Sequence, residues 1–294
     1  MDFTVDYYRV QTPEGTTFVD ALEECSLYER FSEELRLFGL GNFIRLEQLS
    51  HDGACWEGDL VRSIMDRTAM RVPMEAPTRP IKLGEDEGLG KQVAFLYDSD
   101  LSVLALQKNR RGATPSRFAQ YFNRFMGTSG KVELHPILSR QAMENFDEMA
   151  RHTKLHIKVA GGHRGEVGTG NTSFQRMMQV AEDMGSPNLK MTLSVGRQWR
   201  DEQLNGGAVR SFVQDVIKKF TGDDEPEAEV EKIVIDGRNP NEEKIEVDLI
   251  EDRMTDSAGM PTNDDRAPAY ALRRKLIEQF FNNRRSELES MFGR

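Results

Sequence analysis

The segment from Leu106 to Phe122, LQKNRRGATPSRFAQYF, places basic side chains before and within the start of an amphipathic helix. Thr114 and Pro115 are typical of a helix N-cap and of the first helical position. The backbone N–H groups and the dipole at such a start favour an anion, and nucleic-acid phosphates are anions that Lys and Arg contact. We therefore predict DNA-binding residues at Lys108, Arg110, Arg111 and Arg117.

A second set of basic residues lies within and upstream of a predicted helix at 206–220. The apolar residues of this helix recur at helical spacing, which leaves Arg210, Gln214 and Lys218 as a stripe on another face. Upstream, a predicted strand ends in SVGRQWR, where two arginines flank a tryptophan. We predict further DNA-binding residues at Arg197, Arg200, Arg210, Lys218 and Lys219.

Neither basic segment requires a nucleic-acid ligand. A solvated amphipathic face produces the same helical stripe, and the arginines can pair instead with the acidic segment 221–265. Tyr121 and Phe122 lie at helical spacing, and we expect them in the core rather than stacked on bases.

An enzymatic alternative rests on Asp236, Glu242 and Lys244, a D-x5-E-x-K pattern. Two carboxylates and a lysine in such a pattern are typical of metal-dependent nucleases. The interval between Asp236 and Glu242 is short for that site, and chance matches are expected in an acid-rich stretch.

Other catalytic and cofactor motifs are missing from the sequence. The glycine-rich GGHRGEVGTGN lacks the features of nucleotide-binding loops, the five histidines lack zinc-site spacing, and no nucleophile elbow occurs. We therefore predict no catalytic residue, cofactor, metal or small-molecule substrate. His156 alternates with Leu155 and Ile157 in a predicted strand, and we expect it to be structural.

The charges are strongly segregated along this chain of 294 residues. Its formal net charge is −10, yet residues 101–220 carry +8 between flanking segments of −10 at 1–100 and −12 at 221–265. Such a chain can present a positive field locally while it remains anionic overall. No long apolar run and no basic leader occur, so we expect a cytoplasmic protein. Cys25 and Cys55 are expected to be buried hydrophobic residues.

The pattern of elements predicts an α+β protein with mixed β-sheets and packed helices. From residue 93 the order is β-β-α-β-α-β, and the glycine-rich stretch after 160 is a candidate hinge. We predict a globular α+β domain formed by 1–160 together with 263–294, and a smaller, movable α/β domain at 161–262. Between 18 and 38, the apolar spacing predicts two short helices or one broken helix.

Four blocks carry a family resemblance: VAFLYDSDLSVLALQKNRRGATPSRFAQYF, VELHPILSRQAMENFDEMARHTKLHIKVA, LKMTLSVGRQWRDEQLNGGAVRSFVQDVI and APAYALRRKLIEQFF. In hydrophobic pattern, in Pro136 after a strand and in a late tyrosine-containing helix, they resemble the RexA family of phage-exclusion proteins of lambda-type prophages. The resemblance implies a cytoplasmic homodimer that binds double-stranded DNA without sequence preference. It also implies a membrane effector partner of the RexB type.

The sequence thus predicts a sequence-independent double-stranded DNA-binding protein of an antiviral phage-exclusion system, and not an enzyme. Two alternatives stay open. One is the metal-dependent nuclease, and the other is a protein-interaction module whose basic and acidic segments pair with each other or across a dimer.

Overall fold

The helices and strands are taken from a computed structural model of the chain. It describes residues 2–39, 42–64, 70–71, 74, 77–84, 87–109, 111–127, 131–161, 173–186, 188–196, 202–221, 228–260 and 269–293. The strands are β1 (Asp2–Gln11), β2 (Arg36–Gly39), β3 (Asn42–Asp52), β4 (Cys55–Ile64), β5 (Met70–Arg71), β6 (Arg79–Pro80), β7 (Leu89–Asp98), β8 (Val103–Gln107), β9 (Glu133–Pro136), β10 (Arg151–Gly161), β11 (Asn188–Ser194), β12 (Ala228–Arg238), β13 (Lys244–Asp248) and β14 (Thr255–Gly259). The helices are α1 (Phe18–Ser26), α2 (Pro115–Asn123), α3 (Arg140–Asp147), α4 (Ser173–Asp183), α5 (Gly206–Thr221) and α6 (Tyr270–Phe292).

The predicted fold class is confirmed, because helices pack with antiparallel sheets in an α+β arrangement. The chain divides into two compact units, one formed by 1–132 with 256–294 and the other by 133–255. These boundaries differ from the predicted division at 160/161 and 262/263. The reason is β10, which pairs with both β11 and β12 and so belongs to the sheet of the second unit.

In the first unit, the strands follow the order β14-β1-β8-β7-β4-β3-β2. Helices α1 and α2 cover one face of this sheet through aromatic residues. Phe18 lies edge-on to Tyr97 with ring centroids 4.8 Å apart, and Phe118 lies edge-on to Phe95 at 5.1 Å. Glycine is required at Gly58, since an added Cβ would lie 2.4 Å from the Phe95 ring. This close packing fixes α1 and α2 on the sheet.

Helix α6 packs on the sheet through an apolar stripe as well. Its Phe280 ring lies 6.2 Å from that of Phe3, and its Phe281 ring lies 6.5 Å from that of Tyr7. Ile277 and Leu288 are fully buried. The late tyrosine-containing helix expected from the sequence is therefore present as α6.

Four arginines of α6 also bind carboxylates of the sheet, and we name these pairs the arginine clasp. The pairs are Arg273–Asp59, Arg274–Glu57, Arg284–Asp256 and Arg285–Asp98. Arg273 Nη1 and Nη2 donate to Asp59 Oδ1 and Oδ2 at 2.7 and 2.6 Å. The two residues are 2% and 1% exposed. Such a buried bidentate pair stabilises the fold while both partners are present. Loss of one partner leaves an uncompensated buried charge.

Glu57 is an unusual member of the arginine clasp because a second carboxylate lies beside it. Arg274 contacts both Glu57 and Glu278. Burial and the neighbouring Glu278 raise the pKa of Glu57 to about 7, although Arg274 opposes this shift. The Glu57 side chain therefore titrates near neutral pH, where most glutamates are fully ionised.

The second unit is a four-stranded antiparallel sheet in the order β11-β10-β12-β13. One face is apolar, and Val209 and Val213 of α5 and Ala142 of α3 pack against it. The strand residues of this core are Leu155, Ile157, Val159, Ile233, Ile235, Ile245 and Val247. Because side chains alternate along a strand, the residues between them point to the opposite face of the sheet.

Expectations about individual helices have different outcomes. Helix α5 begins at the predicted Gly206, and the predicted N-cap Thr114 accepts a hydrogen bond from the Arg117 backbone N–H at the start of α2.

The prediction of two short helices or one broken helix between 18 and 38 was correct only for α1, which covers 18–26. Residues 27–35 form turns and irregular backbone, and 36–39 form the edge strand β2, whose Phe38 lies beside Phe43 of β3. Within the described residues, none of the helices has the length and apolar character that crossing a membrane requires.

Candidate nucleic-acid interface

The first predicted basic group is dispersed around the start of α2. Lys108 Nζ lies 3.7 Å from Asp6 Oδ2. Arg117 is half-buried and its Nη1 donates to Gln120, while burial, together with Arg62, lowers the pKa of Arg117. Arg110 lies outside the described residues. Lys108 and Arg111 are thus the described members of this group whose side chains are exposed.

Tyr121 and Phe122 belong to the core, as expected. Both are fully buried, and their rings lie 5.0 Å apart. Tyr121 Oη donates to the Leu35 carbonyl and accepts from the Leu46 N–H. These two residues hold the helix on the sheet and are not placed to stack on bases.

The second predicted group centres on α5. Arg210 is exposed, and its guanidinium lies 4.8 Å from the centroid of the Phe146 ring in α3. Burial and Arg210 lower the pKa of His152. Lys218 and Lys219 lie on α5, where only their backbone is described. The remaining members, Arg197 and Arg200, lie outside the described residues.

The residues of the nuclease alternative each contact a side chain outside the D-x5-E-x-K pattern. Asp236 accepts a hydrogen bond from Lys154 Nζ at 3.1 Å. Glu242 instead pairs with Arg151, and Lys244 Nζ lies 3.6 Å from Glu246. Across the described ranges, no group of three His, Cys, Asp or Glu residues has the geometry to hold a metal ion.

A different set of basic residues is assembled by the second sheet, on the face opposite its apolar core. Cross-strand register places polar side chains there in three rows. Read from β11 towards β13, the rows are Ser194–Lys154–Asp236–Glu246, Thr192–His156–Val234–Asp248 and Lys190–Lys158–Lys232. We name the last of these the lysine row, and the whole set the polar face.

The lysine row places three ammonium groups on neighbouring strands. Neighbouring strands lie about 4.8 Å apart, so the row extends over about 10 Å. Like charges directly opposite each other destabilise a sheet. Protection of an exposed edge can account for Lys190 on the edge strand β11, but not for Lys158 on the inner strand β10. Lys158 and Lys190 are both exposed. Three ammonium groups on adjacent strands could contact an anionic ligand.

Carboxylates balance part of this charge on the β13 side. Lys232 Nζ lies 3.6 Å from Asp248 Oδ2, and Lys154 Nζ lies 3.1 Å from Asp236 Oδ2. Asp236 and Asp248 are buried, while Lys190 and Lys158 at the other side are exposed. The polar face is therefore positive towards β11 and β10 and becomes neutral to acidic towards β13.

His156 lies in the middle row of the polar face. Its Nδ1 lies 2.8 Å from Thr192 Oγ1 on β11. Burial, followed by Lys190, Lys154 and Lys232, lowers the pKa of His156, and Asp236 acts in the opposite direction. The expectation that His156 is structural rested on strand alternation alone and included none of these four side chains.

Comparison with known protein families gives a match over most of the chain. The profile of a family of unknown function, DUF6731, matches residues 39–286, which is most of the chain. The chain belongs to DUF6731. A search of the curated proteins finds no match to the chain. The range shared with DUF6731 includes all four strands of the polar face.

In this DUF6731 member, a sequence signal for the polar face exists but is divided among separate segments. KLHIKVA carries Lys154, His156 and Lys158 at alternate positions, and LKMTLS carries Lys190 and Thr192 at alternate positions. Alternation indicates that each set shares one face of its strand. Only the pairing register, which the sequence does not contain, brings the two sets and Lys232 into rows.

Proposed function

We propose that the chain binds double-stranded DNA through its phosphates, without reading base sequence, and that the lysine row makes the central contacts. The observation that carries the proposal is the register of Lys190, Lys158 and Lys232 on three adjacent strands. Phosphates follow one DNA strand at about 3.4 Å per charge along the helix axis, so a row of about 10 Å spans roughly three of them.

Lysine suits this role because its ammonium is a point charge on a flexible stem. Such a group contacts phosphate oxygens well and carries little of the fixed geometry that reads base edges. The positive segment 101–220 and the resemblance to the RexA family support the same class of ligand. Arg210 lies on α5, which packs on the other face, and would be an extension of the site rather than its centre.

The test is a fluorescence anisotropy titration of the full chain with unrelated duplexes at several salt concentrations. About three phosphate contacts give a log–log salt slope near −2.7, which is a roughly fortyfold loss of affinity between about 50 and 200 mM salt. Duplexes of different sequence should bind equally. Affinity that does not depend on salt would overturn the proposed contacts.

Variants that replace lysines of the lysine row by glutamate test whether this row is the DNA-binding site. We expect Lys158→Glu with Lys190→Glu to lower the affinity more than about tenfold, because two phosphate contacts become repulsive. The matched control is Lys82→Glu with Lys275→Glu, which makes the same change in net charge at exposed residues of the first unit. Equal losses in both variants would mean that net charge alone determines binding. An Arg210→Glu variant tests the site predicted on α5.

A second candidate function is self-association through the polar face. Its exposed Lys158 and Lys190 lie on β10 and β11, and the exposed Glu246 lies on β13. Two copies related by a two-fold axis could therefore bring opposite charges together. In that case light scattering should detect a dimer that Lys158→Glu with Lys190→Glu dissociates, and no DNA should bind.

From the resemblance alone, we further propose that DNA binding serves phage exclusion in a homodimer that acts with a membrane partner of the RexB type. The measurement is the plating efficiency of phage on cells that produce the chain. A Lys158→Glu, Lys190→Glu variant that excludes phage as well as the wild type would separate exclusion from the lysine row.

A further inference from the structure

His156 occupies a position where four lysines surround one titratable side chain. Lys154 and Lys158 flank it on β10 on the same face, and Thr192 and Val234 lie directly opposite it on β11 and β12. Lys190 and Lys232 lie diagonally across those two strands. The ring is half-buried, and its Nδ1 is hydrogen-bonded to the Thr192 hydroxyl at 2.8 Å.

The charged groups around His156 come from all four strands of the sheet. The groups are Lys154 and Lys158 on β10, Lys190 on β11, Lys232 and Asp236 on β12, and Asp248 on β13. The two aspartates are engaged by Lys154 and Lys232. Burial of the ring, followed by Lys190, Lys154 and Lys232, disfavours a proton on His156 while no anion is bound.

A phosphate held by the lysine row reverses this balance. Its negative charge lies next to the ring and offsets the lysines that oppose protonation, so the charged imidazolium becomes favourable. The protonated ring adds a further donor for phosphate oxygen, because both of its nitrogens then carry hydrogen. Protonation and phosphate binding should thus reinforce each other, as linkage between two ligands requires.

Resting on the DNA-binding function proposed above, we propose that His156 takes up a proton when the phosphate backbone binds, so that DNA affinity rises as pH falls. His156 is then a phosphate ligand whose contribution is present in mildly acidic solution and absent in alkaline solution. The chain would hold DNA more tightly when the solution around it acidifies.

The sign follows from the two protonation states. At high pH the ring is neutral in both free and bound forms, and at low pH it is charged in both. Between these limits the bound form carries more proton, so affinity rises with falling pH. An increase of one pKa unit on binding corresponds to ~10-fold in affinity.

The experiment is an anisotropy titration of the wild type at pH values from about 5 to about 8 at constant salt, a range that spans the ordinary histidine pKa. His156→Gln is the test variant, because glutamine can still hydrogen-bond Thr192 but cannot gain a charge. The control is His51→Gln, an exposed histidine stacked on Trp56 in the first unit. We expect the wild type and the His51 variant to gain ~10-fold in affinity towards low pH, and the His156 variant to gain much less.

Proton uptake gives a readout that a structural role would not change. Calorimetry of DNA binding in buffers of different ionisation enthalpy should report uptake of a fraction of a proton by the wild type, and none by the His156 variant. The imidazole NMR signal of His156 should titrate at higher pH when duplex is bound.

The outcomes separate this inference from the function on which it rests. If the wild type binds no duplex at any pH, the proposed function fails and the inference with it. If the wild type binds with an affinity that Lys158→Glu and Lys190→Glu reduce, but without dependence on pH, only the inference fails. The same holds if His156→Gln retains the full pH dependence.

Discussion

In the arginine clasp each guanidinium of α6 meets a carboxylate of the sheet, whereas in the lysine row three ammonium groups lie side by side on adjacent strands. Arg273 and Asp59 are almost wholly buried, while Lys158 and Lys190 are exposed. Buried charges persist in folded proteins when they are paired, and neighbouring like charges are tolerated where solvent or a ligand can screen them. The first arrangement therefore maintains structure, and the second is the surface that we propose for DNA binding.

The largest effect is expected when the arginine clasp loses one partner. Asp59→Asn leaves the buried Arg273 charge without its carboxylate, so the free energy of unfolding should fall by about 3–5 kcal/mol in chemical denaturation. Glu287→Gln is the control, because Glu287 binds Arg284 at a more exposed position. The double variant Asp59→Leu, Arg273→Met should recover most of the loss. If it is as unstable as Asp59→Asn, an unpaired charge is not the cause.

A pH profile sharpens the same comparison within the arginine clasp. The pKa of Glu57 is raised to about 7 by burial and Glu278, so the folded chain holds a proton there that the unfolded chain releases near pH 4.5. This contribution to stability is full below about pH 4.5 and is lost as pH rises to about 7, a change of about 3 kcal/mol. Most paired carboxylates behave in the opposite way.

The measurement is urea denaturation between about pH 4.5 and pH 8 for the wild type and for Glu57→Gln. The variant should lose less stability over this interval, and Glu278→Gln should also flatten the profile because it removes the neighbouring carboxylate. A Glu57→Gln profile parallel to the wild type would show that the decline comes from other groups.

We expect Lys154 on the polar face to stabilise the fold through its ion pair, as the arginines of the arginine clasp do. Its ammonium is bonded to the buried Asp236, so Lys154→Thr leaves that carboxylate without its cation. We expect a loss of about 1–2 kcal/mol in the free energy of unfolding. Asp236→Asn in the same background should restore part of it, and a lack of coupling in this double-mutant cycle would contradict the pairing.

The smallest expected effect has the opposite sign. Lys190→Thr removes a like charge opposite Lys158 and places a β-favouring residue on β11, so the chain should become more stable by about 0.2–1 kcal/mol. The same substitution should weaken DNA binding. Thermal denaturation and anisotropy on one preparation test both parts, and a loss of stability would mean that Lys190 serves the fold.

Local features of the fold could be predicted, because they depend on residues close together in sequence. Thr114 and Pro115 start α2, and the apolar spacing of α5 gives its buried Val209 and Val213. The predicted domain boundaries lie later in the chain than those of the two compact units. The first boundary was predicted after β10 because β10 ends next to the glycine-rich stretch, and nothing in the residues of β10 indicates which sheet it joins.

The residues of the polar face were not identified as a group from the sequence, for a related reason. Basic residues were predicted to form a site wherever they are dense in sequence, around 108–117 and 197–219. The lysine row joins Lys158, Lys190 and Lys232 instead, and the arginine clasp joins Asp59 to Arg273. These groupings follow from strand register and helix docking, which are long-range properties.

The arginine clasp also bears on how the chain folds as it is synthesised. Asp59 and Asp98 are made early, but their partners Arg273 and Arg285 lie on the last helix, after the whole second unit has been translated. Until α6 arrives, these carboxylates cannot be buried without a large penalty. The second unit is continuous in sequence and can form first. The first unit should therefore close only after translation reaches α6, although most of its strands are made before the second unit.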